Sequence, residues 1–208
     1  MEYPGITVIS SPGNEKMLDY IINHEVGHNW FYGIIASNER AHPWMDEGMN
    51  SYYDRKYNAQ QYKVETADYV DVQAPFIRKR LPVDFEDVLL QTMTSLKKDQ
   101  PIATAAADFS ELNYNAIAYT KTSLWMKRLE NETGEQVFGS IMKEYYSRWK
   151  FRHPYPEDFK SVAEELSGKK LDNIFSLLSQ KGSLSKPVPK KLKLASFFSL
   201  RETNKYNY

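Results

Sequence analysis

Apolar residues recur at helical rather than strand spacing along most of this chain. From Asn14 to Ile35, Met17, Leu18, Ile21, Ile22, Val26 and Phe31 fall mostly three, four or seven positions apart, which predicts one long helix. Ser11-Pro12-Gly13-Asn14 supplies the turn and helix start before it. Ser37 to Pro43 reads as a loop, and Pro43 suits the first turn of a second helix through Met49, Tyr52, Tyr53 and Tyr57 to about Gln61. Pro75 and Pro82 interrupt Val64 to Thr94, so two or three short helices are predicted there, one at Phe85 to Leu90. Lys97 to Ala107 is loop, and Ser110 leads into a long amphipathic helix ending near Gly134. Gly134 to Trp149 is another helix, whose stripe of Val137, Phe138, Ile141, Met142, Tyr145 and Trp149 reads as core. Pro156-Glu157-Asp158 opens a helix to about Leu166, its acidic residues at the positively polarised end, and Leu171 to Leu178 is a further short helix. Strand-like alternation is confined to Ile6-Thr7-Val8-Ile9, after a Pro-Gly turn. The predicted fold is mainly α with a short N-terminal β segment.

Composition narrows the class. A chain of 208 residues, 41% hydrophobic and 14% aromatic, is long enough for one core. With 27 basic and 27 acidic residues, nothing argues for nucleic acid or an acidic membrane surface as partner. The absence of cysteine excludes disulfides and thiolate metal sites and leaves the compartment undecided. No apolar run reaches the roughly 18 residues of a membrane span, and Met1-Glu2-Tyr3-Pro4 does not begin a signal peptide. Ser183 to Lys193, SLSKPVPKKLK, reads as a linker, its basic run a solvated connector, so a unit at 1–182 is followed by a linker and tail at 183–208.

Rare chemical requirements meet in His24-Glu25-Val26-Gly27-His28. On a helix, His24 and His28 sit four positions apart on one face, where both imidazoles can reach one small ion. Catalytic zinc takes nitrogen ligands at about 2.0–2.1 Å and keeps one position for water. Glu25 can face that water and take its proton, the arrangement of H-E-x-x-H zinc peptidases. A third ligand is required, and Glu47 in Trp44-Met45-Asp46-Glu47-Gly48 is the candidate, early in the second helix. Asp54, about two turns further, shares its face and can accept a hydrogen bond from the second nitrogen of a zinc histidine. His42 and His153, the remaining histidines, read as loop and structural residues.

With these residues in place the chain resembles the aminopeptidase N type of zinc metallopeptidase, gluzincins with the pattern H-E-x-x-H, eighteen residues, then E. Asn29-Trp30-Phe31 and Trp44-Met45-Asp46-Glu47-Gly48 also look like that family, which usually has Asn where Asp46 stands and often Glu where Asp54 stands. The resemblance implies the α-rich lobe of a thermolysin-like catalytic domain, with zinc as cofactor and peptides with a free N-terminus as substrates. It also implies two further roles. Met1-Glu2 matches part of a Gly-x-Met-Glu-Asn motif whose glutamate binds the substrate's amine, so Glu2 is the expected amine anchor. Tyr119-Thr120-Lys121 matches a Tyr-x-Lys whose tyrosine supports the developing oxyanion, and Tyr114 stands where the family often has a second tyrosine. A chain that starts inside the first motif reads as a fragment of a longer protein with further domains. The expected activity is hydrolysis of the N-terminal peptide bond. The alternatives are an endopeptidase with the same zinc site and a non-catalytic lobe serving as a binding or scaffold module.

Overall fold

The computed structural model describes residues 2–3, 5–9, 15–62, 90, 92–182 and 184. Among these, strand is confined to a hairpin of β1 (Glu2–Tyr3) and β2 (Ile6–Thr7), with Glu2 opposite Thr7 and Tyr3 opposite Ile6. Gly5 holds φ at 79° in the connecting turn, a conformation that favours a residue without Cβ. The remaining helices and turns are joined by loops, with helix dominant, as the apolar spacing predicts.

Helix α1 (Glu15–His28) continues as a π-helical segment, π1 (Asn29–Ile34). A loop leads to π2 (Trp44–Gly48), which runs into α2 (Met49–Tyr62). After the loop around Lys97 to Ala107 come a single α turn, α3 (Glu111–Asn113), then π3 (Tyr114–Lys121) and α4 (Thr122–Thr133). The lobe ends with α5 (Glu135–Trp149), α6 (Pro156–Ser167) and α7 (Asp172–Phe175), followed by one 3-10 turn, Ser176–Ser179.

Local chemistry sets these boundaries. Gly134, at φ 89°, separates α4 from α5, and Gly168, at φ 65°, ends α6 in the left-handed conformation while its N–H bonds to Glu164 O at 3.0 Å. At the start of α6, Pro156 takes the first helical position and the Asp158 carboxylate accepts from Tyr155 N at 2.8 Å.

The helix predicted as continuous from Asn14 to Ile35 is α-helical to His28 and then winds more widely, Ile35 N donating to Trp30 O five residues back at 2.8 Å. The second predicted helix likewise begins with π turns, and the helix predicted from Ser110 winds as π after one α turn. Hydrophobic spacing does not distinguish such turns from α turns, because both bury the same side of the segment. The short helices expected within Val64 to Thr94 lie mostly outside the described residues. So do the linker and tail, apart from Leu184, which packs half-buried on the core.

One core runs through the lobe. Trp44 and Trp125 are fully enclosed and meet edge to face at 5.4 Å, and Trp125 Nε1 donates to Ile174 O at 2.9 Å. The predicted α5 stripe is core: Phe138, Ile141, Met142 and Tyr145 are buried, with Val137 and Trp149 packed against them. Full burial of a side chain such as Leu129 or Phe138 stabilises the fold by about 2 kcal/mol. A buried ion pair, Lys121 Nζ to Asp99 Oδ2 at 3.4 Å, ties the end of π3 to the loop before it. Asp99 also accepts from Gly182 N at 2.7 Å, which anchors the chain end of the lobe.

Candidate metal centre and active site

Two glycines let the site elements approach one another. A Cβ on Gly27 of α1 would lie 1.9 Å from Asn50 Oδ1 of α2, and one on Gly48 would lie 2.2 Å from Thr122 Cγ2 and 2.6 Å from Ala118 O. The first close approach brings α1 against α2. The second brings the turn carrying Glu47 against the turn carrying Tyr119. The three π-helical segments among the described residues border this region: π1 follows His28, π2 holds Asp46 and Glu47, and π3 holds Tyr119. Such wide turns concentrate at functional sites in proteins generally.

His24, His28 and Glu47 converge as the sequence predicts. Their inward atoms form a small triangle: His24 Nε2 to His28 Nε2 is 3.1 Å, and Glu47 Oε2 lies 3.3 Å from the first and 3.4 Å from the second. Tetrahedral zinc with ligands at about 2.0–2.1 Å sets its donors roughly 3.3 Å apart, so the three atoms stand at the separation one ion requires. Glu47 Oε2 is enclosed and lacks an aligned hydrogen bond, although it touches both imidazoles, an orphaned acceptor of the kind an ion would satisfy. The donor set of two imidazoles and one carboxylate suits zinc, and these residues fit the group.

The outer nitrogens are held just as closely. His24 Nδ1 lies 2.6 Å from Asp54 Oδ2, as expected from the sequence. Asp54 is 1% exposed and also accepts from Asn23 Nδ2 at 2.6 Å and Tyr20 Oη at 3.3 Å. Asn50 Nδ2 donates to His24 O at 2.7 Å and so fastens the backbone of the motif to α2. His28 Nδ1 lies 2.7 Å from Asp46 Oδ1, both side chains 2% exposed. That contact was not expected from the sequence, where the one signal is a second carboxylate beside Glu47. In a dry site these carboxylates set the protonation. Burial opposes charge on the imidazoles, but the nearby carboxylates of Asp54 and Glu47 raise His24 to about 9, and those of Asp46 and Glu47 raise His28 to about 10. Burial acts to raise Glu47, and the two histidines outweigh it, holding its carboxyl down to about 2.

Tyr119 lies against the same cluster, its ring stacked 5.8 Å from that of His24, with Tyr114 edge-on to it at 5.9 Å. Burial and then the Glu47 charge push its hydroxyl far above the usual tyrosine range, so it stays a proton donor. Glu25 follows His24 on α1, half-buried and outside the three-residue triangle. The Glu2 side chain lies outside what the structure describes, although its backbone pairs in β1. The other two histidines are away from the cluster: His42 meets the Tyr155 ring edge-on at 6.2 Å, and His153 Nδ1 lies 2.8 Å from Ala36 O.

The sequence profile described as the Peptidase family M1 domain matches residues 7–178. The chain belongs to peptidase family M1. Among M1 relatives it is 26% identical over 168 residues to a glutamyl aminopeptidase of Bitis rhinoceros, covering 79% of this chain and 16% of that protein. It is 22% identical over 176 residues to aminopeptidase M1-D of Oryza sativa subsp. japonica, covering 83% of this chain and 19% of that protein. The M1 zinc metallopeptidase of Deinococcus radiodurans shares the fold at a TM-score of 0.57 and 17% identity, over 83% of this chain and 34% of that one. A mutant of it bound to a Tyr-Ser-Ala substrate superimposes at a TM-score of 0.59. This M1 chain therefore spans less than a fifth of the length of the first two relatives, and its helix-rich structure is the α-rich lobe of an M1 peptidase domain. No helix among the described residues is long and apolar enough to cross a membrane.

Proposed function

We propose that this chain carries the zinc site of an aminopeptidase that removes the N-terminal residue of peptides. The observation that carries the reading is the triangle of His24 Nε2, His28 Nε2 and Glu47 Oε2, with sides of 3.1, 3.3 and 3.4 Å. Bound there, zinc would act as a Lewis acid and make a water molecule nucleophilic near neutral pH. Glu25, beside His24 on α1, accepts the proton of the attacking water and passes it to the leaving nitrogen. Tyr119, kept protonated beside Glu47, donates a hydrogen bond to the carbonyl oxygen as negative charge grows on it. Asp54 and Asn50 hold His24 in place. Glu2 pairs with the free ammonium group of the substrate, the feature that would separate an aminopeptidase from an endopeptidase. Residues 1–182 form the catalytic part in this reading, acting with further domains of the longer protein.

The test is a paired hydrolysis assay on zinc-loaded protein, with one peptide free at its N-terminus and its twin N-acetylated. Cleavage of the free peptide alone, lost in Glu25→Gln while zinc stays bound, is the expected result. Cleavage of both peptides would replace this reading with an endopeptidase. Stoichiometric zinc without cleavage of either, in the longer protein as well, would leave a non-catalytic binding lobe.

A further inference from the structure

His28 is gripped on both nitrogens by consecutive carboxylates of one π-helical turn. Asp46 Oδ1 stands 2.7 Å from Nδ1, and Glu47 Oε2 stands 3.4 Å from Nε2. Asp46 and His28 are each 2% exposed, so water cannot replace the contact or screen the charge. Asp54 performs a related task on His24, and it also accepts from the Asn23 amide and the Tyr20 hydroxyl. The two imidazoles therefore both have carboxylate acceptors, and the enclosed cluster holds Asp46, Glu47 and Asp54 around two ligand histidines.

The geometry has a chemical consequence. In the neutral ring, the form that takes a metal, a proton on Nδ1 bonded to Asp46 leaves the lone pair on Nε2, the atom facing His24 Nε2 and Glu47. An ionised acceptor also forms a bond roughly twice as strong as a neutral one and makes the ring a better electron donor. An asparagine in the same place would offer an amide oxygen to the proton but no charge.

We propose that Asp46 is a positioning residue of the metal site: its carboxylate fixes the His28 ring with Nε2 presented to zinc, and its negative charge tightens metal retention beyond what an uncharged acceptor provides. The inference rests on the zinc reading above and concerns the hold on the metal rather than turnover. It separates two contributions: Asp46→Asn removes the charge and keeps an acceptor, and Asp46→Ala removes the acceptor as well.

The experiment measures zinc affinity on the full chain by competition with a chromogenic chelator, for wild type, Asp46→Asn and Asp46→Ala. Partners of this kind change metal affinity by about 10–100-fold. Asp46→Asn is expected to weaken zinc binding by about tenfold and Asp46→Ala by about a hundredfold. The absorption bands of the cobalt-substituted protein should shift in both, a signature that loss of packing alone would not produce. Asp46→Asn binding zinc as tightly as wild type, within twofold, would overturn the role of charge. Nitrogen-15 spectra of zinc-loaded wild type need no variant. They should show His28 Nδ1 protonated and Nε2 on the metal, and the opposite arrangement would overturn the orienting role. If wild type itself binds no zinc, the metal reading fails and this inference with it. Zinc bound by wild type and unaffected in either variant would remove this inference alone.

Discussion

Gly27 lies directly beneath Asn50. A Cβ on Gly27 would come within 1.9 Å of Asn50 Oδ1, while Asn50 Nδ2 donates to His24 O at 2.7 Å. The glycine inside the histidine motif is thus the point at which α2 reaches α1 and fastens the backbone of the proposed metal ligand His24. Gly27→Ala forces Asn50 aside and is expected to cost about 1–3 kcal/mol of stability, as overpacking does. Thermal unfolding of the ion-free protein measures that cost. An unchanged midpoint would show that Asn50 yields freely and that the contact is not a constraint.

Asp54 supports His24 through Nδ1 at 2.6 Å. Replacing Asp54 by Ala should weaken zinc binding by about 10–100-fold and leave the Asn50 contact to the backbone intact. Chelator competition checks it, and zinc affinity equal to wild type would show that the carboxylate has no part in presenting His24.

The ion-free and ion-bound sites respond oppositely to pH. Both His24 and His28 are raised above the ordinary 6.5, to about 9 and about 10, by the surrounding carboxylates. Their protonation therefore stabilises the ion-free fold fully below pH 6.5, and the contribution is lost as pH rises through about 9 and 10. Zinc needs neutral imidazoles, so uptake at pH 7 displaces protons, and affinity should tighten by about tenfold per pH unit for each proton released. Titration calorimetry in buffers of different protonation enthalpy reads the proton count, and a heat of binding independent of buffer would contradict this.

Tyr119 stays protonated beside Glu47 and donates rather than ligates in the proposed mechanism. Tyr119→Phe should keep zinc affinity within about threefold and lower kcat by about 10²–10³, the loss typical of one oxyanion donor. Steady-state kinetics on a peptide with a free N-terminus tests it, and an unchanged kcat would remove the hydroxyl from the reaction.

Lys121 and Asp99 are both buried at 3.4 Å, and the carboxylate also takes the Gly182 N–H. Asp99→Ala leaves an ammonium group enclosed without its counter-charge, with Gln180 O at 3.2 Å still accepting from it. Breaking one partner of such a pair costs about 3–5 kcal/mol, which urea denaturation would show as a lower midpoint. A loss below about 1 kcal/mol would mean that Lys121 reaches water in the variant.

Much of the molecule was legible in the sequence. Helix positions followed from the recurrence of Phe138, Ile141, Met142 and Tyr145 and from the breaks at Gly134 and Pro156, because burial of one side and backbone stereochemistry are local properties. The convergence of His24, His28 and Glu47 was legible as well. His24 and His28 are placed on one face by helical spacing, and Glu47 and Asp54 by the same rule on the next helix. Tyr119 emerged through resemblance, since nothing local distinguishes it among fifteen tyrosines.

Only the tertiary structure decided the rest. The wide turns after His28, around Glu47 and around Tyr119 depend on how the segments meet, and apolar spacing does not encode them. That Asp46 faces His28 Nδ1 follows from the winding of π2 and from the close approaches permitted by Gly27 and Gly48, contacts between residues far apart in the chain. Sequence determined which groups could bind an ion. Packing determined which nitrogen of each histidine faces the ion's position and which carboxylate stands behind it, because those choices are made by neighbours that only the folded chain brings together.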